Sequence, residues 1–150
     1  MNFNKLVMFI RLGREYGRDK IRGAGLSDTE HGIATFLYYH DQVSQDTISV
    51  ALMLNKTTVA KALNTMEQKG LISRRQNELN RRENVIEITA AGRRGIAHNI
   101  DIYDQWFGKV CSCLQEKELE QFESYFDRLL DNALRLRKEA LDDKNKKTKE

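Results

Sequence analysis

At 150 residues, 40% hydrophobic and without proline, the chain has the size and apolar content of one packed domain, with oligomerisation arms at most. No apolar run reaches the ~18 residues a membrane helix needs, and the opening MNFNKLVMFIRLGREYGR lacks a small-residue cleavage site, which argues against a secretory leader. Net charge is only +3, but nine Lys and Arg against four Asp and Glu fall between Asn55 and Gly95, so the cationic excess sits in one stretch. Two Cys without a framework of spacings fit a reducing cytoplasm.

In chain order, Phe3, Leu6, Val7, Ile10 and Ile21 recur at mostly helical spacing, which predicts a helix over 3–22 with one apolar and one basic face, ended by Gly23 and Gly25. Ser27 with Glu30 three residues on has the capping-box spacing and starts a second helix, with Ile33, Ala34, Phe36, Leu37 and His40 as its inward stripe. Ser44 caps a short third helix, QDTISVALML, with Ile48, Ala51 and Leu52 inward. Asn55 caps a fourth, KTTVAKALNTMEQK, with Val59, Ala62, Leu63 and Met66 inward and Gly70 closing it. Two short helices joined by Met53 to Asn55 make a helix-turn-helix candidate.

The fourth helix has the chemistry of a DNA reader. Asn55, Lys56, Thr57 and Thr58 crowd its first turn, where side chains and free N–H groups can donate to phosphates or base edges. Lys61 and Asn64 follow on the face opposite Val59, Leu63 and Met66. Leu71 to Arg74 and Val85 to Ile88 read as two strands of a hairpin. Arg74 and Arg75 stand at its root and Arg81 and Arg82 near the tip of a glycine-free loop, where arginines suit a narrow minor groove.

Thr89 caps the following helix, expected to run unbroken through AAGRRGIAHNIDIYDQWFGKVCSC, and a last helix runs from about Gln115 to Leu141. These terminal helices carry more apolar surface than a small helix-turn-helix needs for its own core, so a second copy of the chain is the expected partner. The fold class expected is mainly α with a small β-hairpin, one domain over 1–150. Within it, 27–95 form a winged helix-turn-helix, 1–22 and 96–141 form dimerisation helices, and 142–150 are a charged tail.

LSDTEHGIATFL, SQDTISVALMLNKTTVAKALNTMEQKGLI and SRRQNELNRRENVIEITAAGRRGI together resemble the MarR family of multiple antibiotic resistance regulators. The resemblance implies a homodimer on double-stranded, pseudo-palindromic operator DNA, usually a repressor released by a signal. The family's wing usually bears an acidic residue two before an arginine, whereas here the pair is Asn80 and Arg82. Met53 stands where a small residue or glycine is common.

Three modes of sensing are open. A small aromatic effector could use Arg14, Tyr16, Tyr38, Tyr39 and His40, each of which also reads as an ordinary core or surface residue. The family's peroxide sensors use a cysteine in the first helix, where 1–22 hold none. Cys111 and Cys113, about 200° apart around a helix, face different ways, so a redox response through them is the alternative to inert burial. His31, His40 and His98 lack metal-ligand spacing, and no cofactor is expected. An enzyme is disfavoured by the lack of a phosphate loop or a plausible nucleophile–histidine–carboxylate set. A helical adaptor is the competitor of another class.

Overall fold

A computed structural model describes residues 2–40, 42–77 and 84–147. Its elements run α1 (Phe3–Gly23), α2 (Asp28–Tyr39), β1 (Val43–Ser44), α3 (Gln45–Ala51), α4 (Lys56–Gln68), β2 (Ile72–Gln76), β3 (Asn84–Ile88), α5 (Ala90–Ile96), α6 (Ile102–Cys111) and α7 (Glu116–Lys147). The chain divides into two compact units, Met1–Trp106 and Phe107–Glu150.

Helix starts follow the side chains that can satisfy the first orphan N–H groups. Ser27 accepts from Glu30 N while the Glu30 carboxylate accepts from Ser27 N, closing the capping box. Ser44, Asn55 and Thr89 cap α3, α4 and α5 without the reciprocal bond, each side chain accepting from the N–H three residues on.

Three helix ends share one solution. After α1, Leu26 N bonds to Ile21 O and Gly25 N to Arg22 O; after α4, Leu71 N bonds to Met66 O and Gly70 N to Glu67 O. Both pairs are the crossed hydrogen bonds of a Schellman end, with glycine at the left-handed residue (φ 73° and 69°). After α3, Leu54 N bonds to Ser49 O and Met53 N to Val50 O, but the left-handed residue is Met53, at φ 54°. That turn joins the two helices of the helix-turn-helix, and it holds a side chain in backbone geometry that favours glycine.

The core of the first unit gathers Ile33, Ala34 and Leu37 of α2, Ile48 of α3, Val59, Ala62, Leu63 and Met66 of α4, Ile72, Ile86 and Ile88 of the strands, and Ile96 of α5. These are the inward residues expected from the periodicity, with two exceptions. Ala51 is exposed at the last position of α3, and His40 is exposed beyond the end of α2. A smaller cluster of Ile21, Leu26 and Ile102 anchors the end of α1. Gly13 and Gly17 let α1 approach the rings of Trp106 and Tyr103, where an added Cβ would meet them at 3.0 and 3.2 Å.

The strands form a three-stranded antiparallel sheet in the order β1-β3-β2, not a bare hairpin. Val43 and Ser44 pair with Ile86 and Val85. A two-residue strand offers too short an alternation to be seen in sequence, and Ser44 reads first as a cap, which it also is.

The helix expected from Ala90 to Cys113 is broken into α5 and α6. At the break, the Asn99 side chain donates to Lys20 O, and Asn99 O lies 2.8 Å from Nε2 of buried His31. Because a carbonyl can only accept, that nitrogen carries the proton. Local turns remain there, with Asn99 N bonded to Ile96 O and Ile102 N to Asn99 O, and the tertiary bonds hold the break in place.

Candidate nucleic-acid interface

α4 is built to show one face. Val59, Ala62, Leu63 and Met66 are buried, leaving Lys56, Thr57, Lys61 and Asn64 exposed on the outside and Thr58 half-buried. Asn55 is spent as the cap: its Oδ1 accepts from Thr58 N at 2.7 Å. Lys56 Nζ lies 2.8 Å from Asp46 Oδ2 in α3, and Gln45 Nε2 donates to Lys56 O, so the helix-turn-helix is cross-tied at the first turn of its second helix. With both side chains of the ion pair well exposed, the bond can exchange for a phosphate at little cost.

Strand alternation separates the two root arginines. Arg74 shares the face of buried Ile72, and its guanidinium reaches α4: Nη2 donates to Asn64 Oδ1 at 2.7 Å, and Nε lies 3.4 Å from Glu67 Oε2. Arg75 is on the other face and donates through Nε to Glu87 Oε1 at 3.0 Å, a diagonal cross-strand pair. Arg81 and Arg82, expected at the tip, lie outside the described residues, as does Asn80.

Behind this face the lobe is pinned at two places. Lys69, the residue that ends α4, donates to Gly25 O at 2.9 Å and to both Glu30 oxygens at 3.0 Å. Burial alone would raise the Glu30 carboxyl, but the Ser27 N–H and Lys69 outweigh it, so its pKa lies below the ordinary 4.5. Sequence reading found Glu30 as a cap and missed this second role, because its partner is 39 residues away. Thr89 is the other pin: its hydroxyl donates to Gly70 O and accepts from Gly92 N, while its N–H bonds to Leu71 O. Gly92 sits so close that a Cβ would fall 2.2 Å from Leu71 O.

Of the five residues expected around an effector, two meet. Tyr39 and His40 line a cavity of about 410 Å³ together with His31, Thr35, Phe36 and Tyr103. The Thr35 hydroxyl is buried without a hydrogen-bond partner among the described residues. Burial, then the Asp28 carboxylate, pushes the Tyr103 phenol up against the opposing pull of Arg14, so it stays a donor. Tyr38 instead packs against Tyr39 and beneath the Arg93 guanidinium, 5.3 Å from its ring centroid. Tyr16 belongs to the Ile21 cluster with Lys20 over its ring, and Arg14 is exposed on α1.

Cys111 is buried, and burial raises its thiol pKa, with Cys113 and Glu123 pushing the same way; Cys113 is exposed. A thiol held protonated is a poor nucleophile. No helix of the described residues is long and apolar enough to cross a membrane.

Residues 24–83 match the model of the MarR family. The chain is 29% identical over 72 residues to the HTH-type transcriptional regulator YdgJ of Bacillus subtilis, an alignment covering 48% of this chain and 44% of that one. It is 27% identical over 86 residues to the HTH-type transcriptional regulator BilQ of Clostridium symbiosum, covering 57% and 60%. The chain thus spans about half the length of the curated relatives it matches. The fold is similar to that of the S. aureus MepR–DNA complex, with a TM-score of 0.79, 24% identity, and 88% of this chain and 98% of that one covered.

Proposed function

We propose, from the match of residues 24–83 to the MarR family model, that the chain is a homodimeric, sequence-specific DNA-binding transcription regulator of that family, a repressor relieved by a small-molecule or other signal. One observation carries the reading: α4 commits its apolar face to the core and turns Lys56, Thr57, Lys61 and Asn64 outward, beside a strand pair rooted in Arg74 and Arg75. Proteins with such a helix place it in the major groove, with its first turns on base edges. In the same reading Thr58 and the cap Asn55 border the phosphates, and Arg81 and Arg82 reach the adjacent backbone or minor groove.

Dimerisation is supported by apolar residues for which each terminal helix finds no cover in its own unit. Phe3, Met8, Ile10 and Leu12 on α1, and Phe122, Phe126, Leu129 and Leu134 on α7, are all exposed. A second copy would take α1 and the stretch 96–141 as its contact, leaving 27–95 as the DNA-binding part, in the cytoplasm where DNA is reached. The cavity at Tyr39 and His40 is the place for an aromatic effector, since it offers rings, an unpartnered hydroxyl and a phenol donor.

Fluorescence anisotropy with the duplex upstream of this gene, against a scrambled duplex of equal length, tests the proposal over roughly 50–200 mM salt. The expected result is saturable binding that prefers the native fragment and weakens steeply with salt. A mass of two chains should accompany it in ultracentrifugation. Equal, weak binding to both duplexes would overturn the reading in favour of a helical adaptor.

A further inference from the structure

Arg74 looks like one more cation for the phosphate backbone, but its placement argues for another task. It lies on the core-facing side of β2, two residues from buried Ile72, and its side chain is 23% exposed. Nη2 donates to Asn64 Oδ1 at 2.7 Å, while Nε, buried and without a hydrogen-bond partner among the described residues, lies at ion-pair distance, 3.4 Å, from Glu67 Oε2. Asn64 and Glu67 are one helical turn apart on α4, so one guanidinium can bond to the first while its charge lies beside the second. Arginine has donors only, so the Asn64 atom facing it must be the oxygen, and the orientation of the carboxamide is decided without ambiguity.

We propose that Arg74 is a positioning residue that fixes the Asn64 carboxamide with its oxygen inward and its NH₂ outward, making Asn64 a donor-only reader of DNA. The proposal rests on α4 being the groove-reading helix. An asparagine that reads adenine does so through both ends of its amide, accepting from N6 and donating to N7. Here the oxygen is turned toward Arg74, and one of its two lone pairs is engaged by a charge-assisted bond, which is shorter and stronger than a neutral one. Asn64 therefore favours a base edge that presents acceptors, such as the N7 and O6 of guanine, over the mixed edge of adenine. Arg74 itself stays off the phosphates, and β2 becomes part of the reading apparatus by holding the reader still.

Two measurements test this, one of them free of DNA. In side-chain ¹⁵N relaxation of the protein alone, the Asn64 NH₂ should be as ordered as the backbone of α4 and become mobile in Arg74→Ala. A wild-type Asn64 amide as mobile as that of an ordinary surface asparagine overturns the clamp. Operator variants changed one base pair at a time then give the specificity at each position for wild type, Asn64→Ala, Arg74→Ala, Arg74→Lys and the Asn64→Ala/Arg74→Ala double variant. Asn64→Ala and Arg74→Ala should each relax discrimination about tenfold at one shared position, and the double variant should lose no more than either alone.

Arg74→Lys, which keeps the charge but not the fork, should behave as Arg74→Ala, and the salt slope should match wild type in all. A slope reduced by about one in Arg74→Ala marks a phosphate contact and overturns the proposal, as do additive losses or a preferred adenine at the shared position. A wild-type protein with no sequence preference at all would instead refute the DNA-reading function, while the relaxation measurement would still decide whether the clamp exists. Thermal midpoints of each variant identify any loss that comes from unfolding.

Discussion

α4 and α7 are both amphipathic helices with large apolar residues at helical spacing, yet they use them differently. In α4, Val59, Leu63 and Met66 are wholly buried within their own unit. In α7, Phe122, Phe126, Leu129 and Leu134 remain between 42% and 62% exposed, although Phe122 stacks on Phe126 at 5.9 Å and meets Phe107 at 6.2 Å. A stripe of the same period is therefore complete in one helix and incomplete in the other. The period tells which face is apolar; only the surroundings tell who covers it.

The largest effect should come from breaking the complete stripe. Leu63→Ala removes a buried side chain and should cost about 3 kcal/mol in urea unfolding, the same at every protein concentration. The matching change on α7, Leu129→Ala, should cost less than about 0.5 kcal/mol if its surface stays in water. If a second copy covers it, the loss should instead appear as a dimer that dissociates at higher concentration, read by ultracentrifugation.

Next in size is Gly92→Ala, whose Cβ would collide with Leu71 O, with an expected cost of about 2–3 kcal/mol. Denaturant unfolding should show that loss, while the adjacent Ala91→Gly, at an exposed position, should cost less than half as much.

Glu30→Gln comes third, at about 1–2 kcal/mol near neutral pH, a modest figure because Lys69 is partly exposed and solvent screens the pair. The folded carboxyl has a pKa below 4.5, so its contribution is present above that pH and fades as pH falls through the lower folded value. Wild type and Glu30→Gln should therefore converge in stability on acidification below about pH 4.5. A gap that stays constant into acid would mean the charge of Glu30 is not what stabilises the lobe.

The smallest effect has the opposite sign. Met53→Gly should stabilise by about 0.5–1 kcal/mol, since it relieves a left-handed backbone at an exposed residue. A thermal midpoint that falls instead would show that the methionine side chain is held by contacts that outweigh the strain.

Local signals made most of the winged lobe legible. Ser27, Ser44, Asn55 and Thr89 all cap as their types suggest, because an N-cap bond reaches only three residues along the chain. What escaped were features set by distant partners. β1 exists because β3 is there to pair with it, and the break at Asn99 is held by bonds to His31 and Lys20, which are distant in sequence. For the proposed DNA-reading face, charge and spacing pointed to α4 and to the arginines of the wing. They could not separate Arg74 from Arg75, although the alternation after Ile72 was there to be used: it sends Arg74 to the helix and Arg75 away from it.

Thr89 carries a mechanical implication. Through three hydrogen bonds it fastens the residues that end α4, the root of the wing and the first turn of α5 to one another. A torque arriving along α5 would therefore meet a joint stiffened by those bonds. Under the proposed regulation, it would swing α4 and the strands together as a lever, so that a signal would alter where the head points more than its own shape.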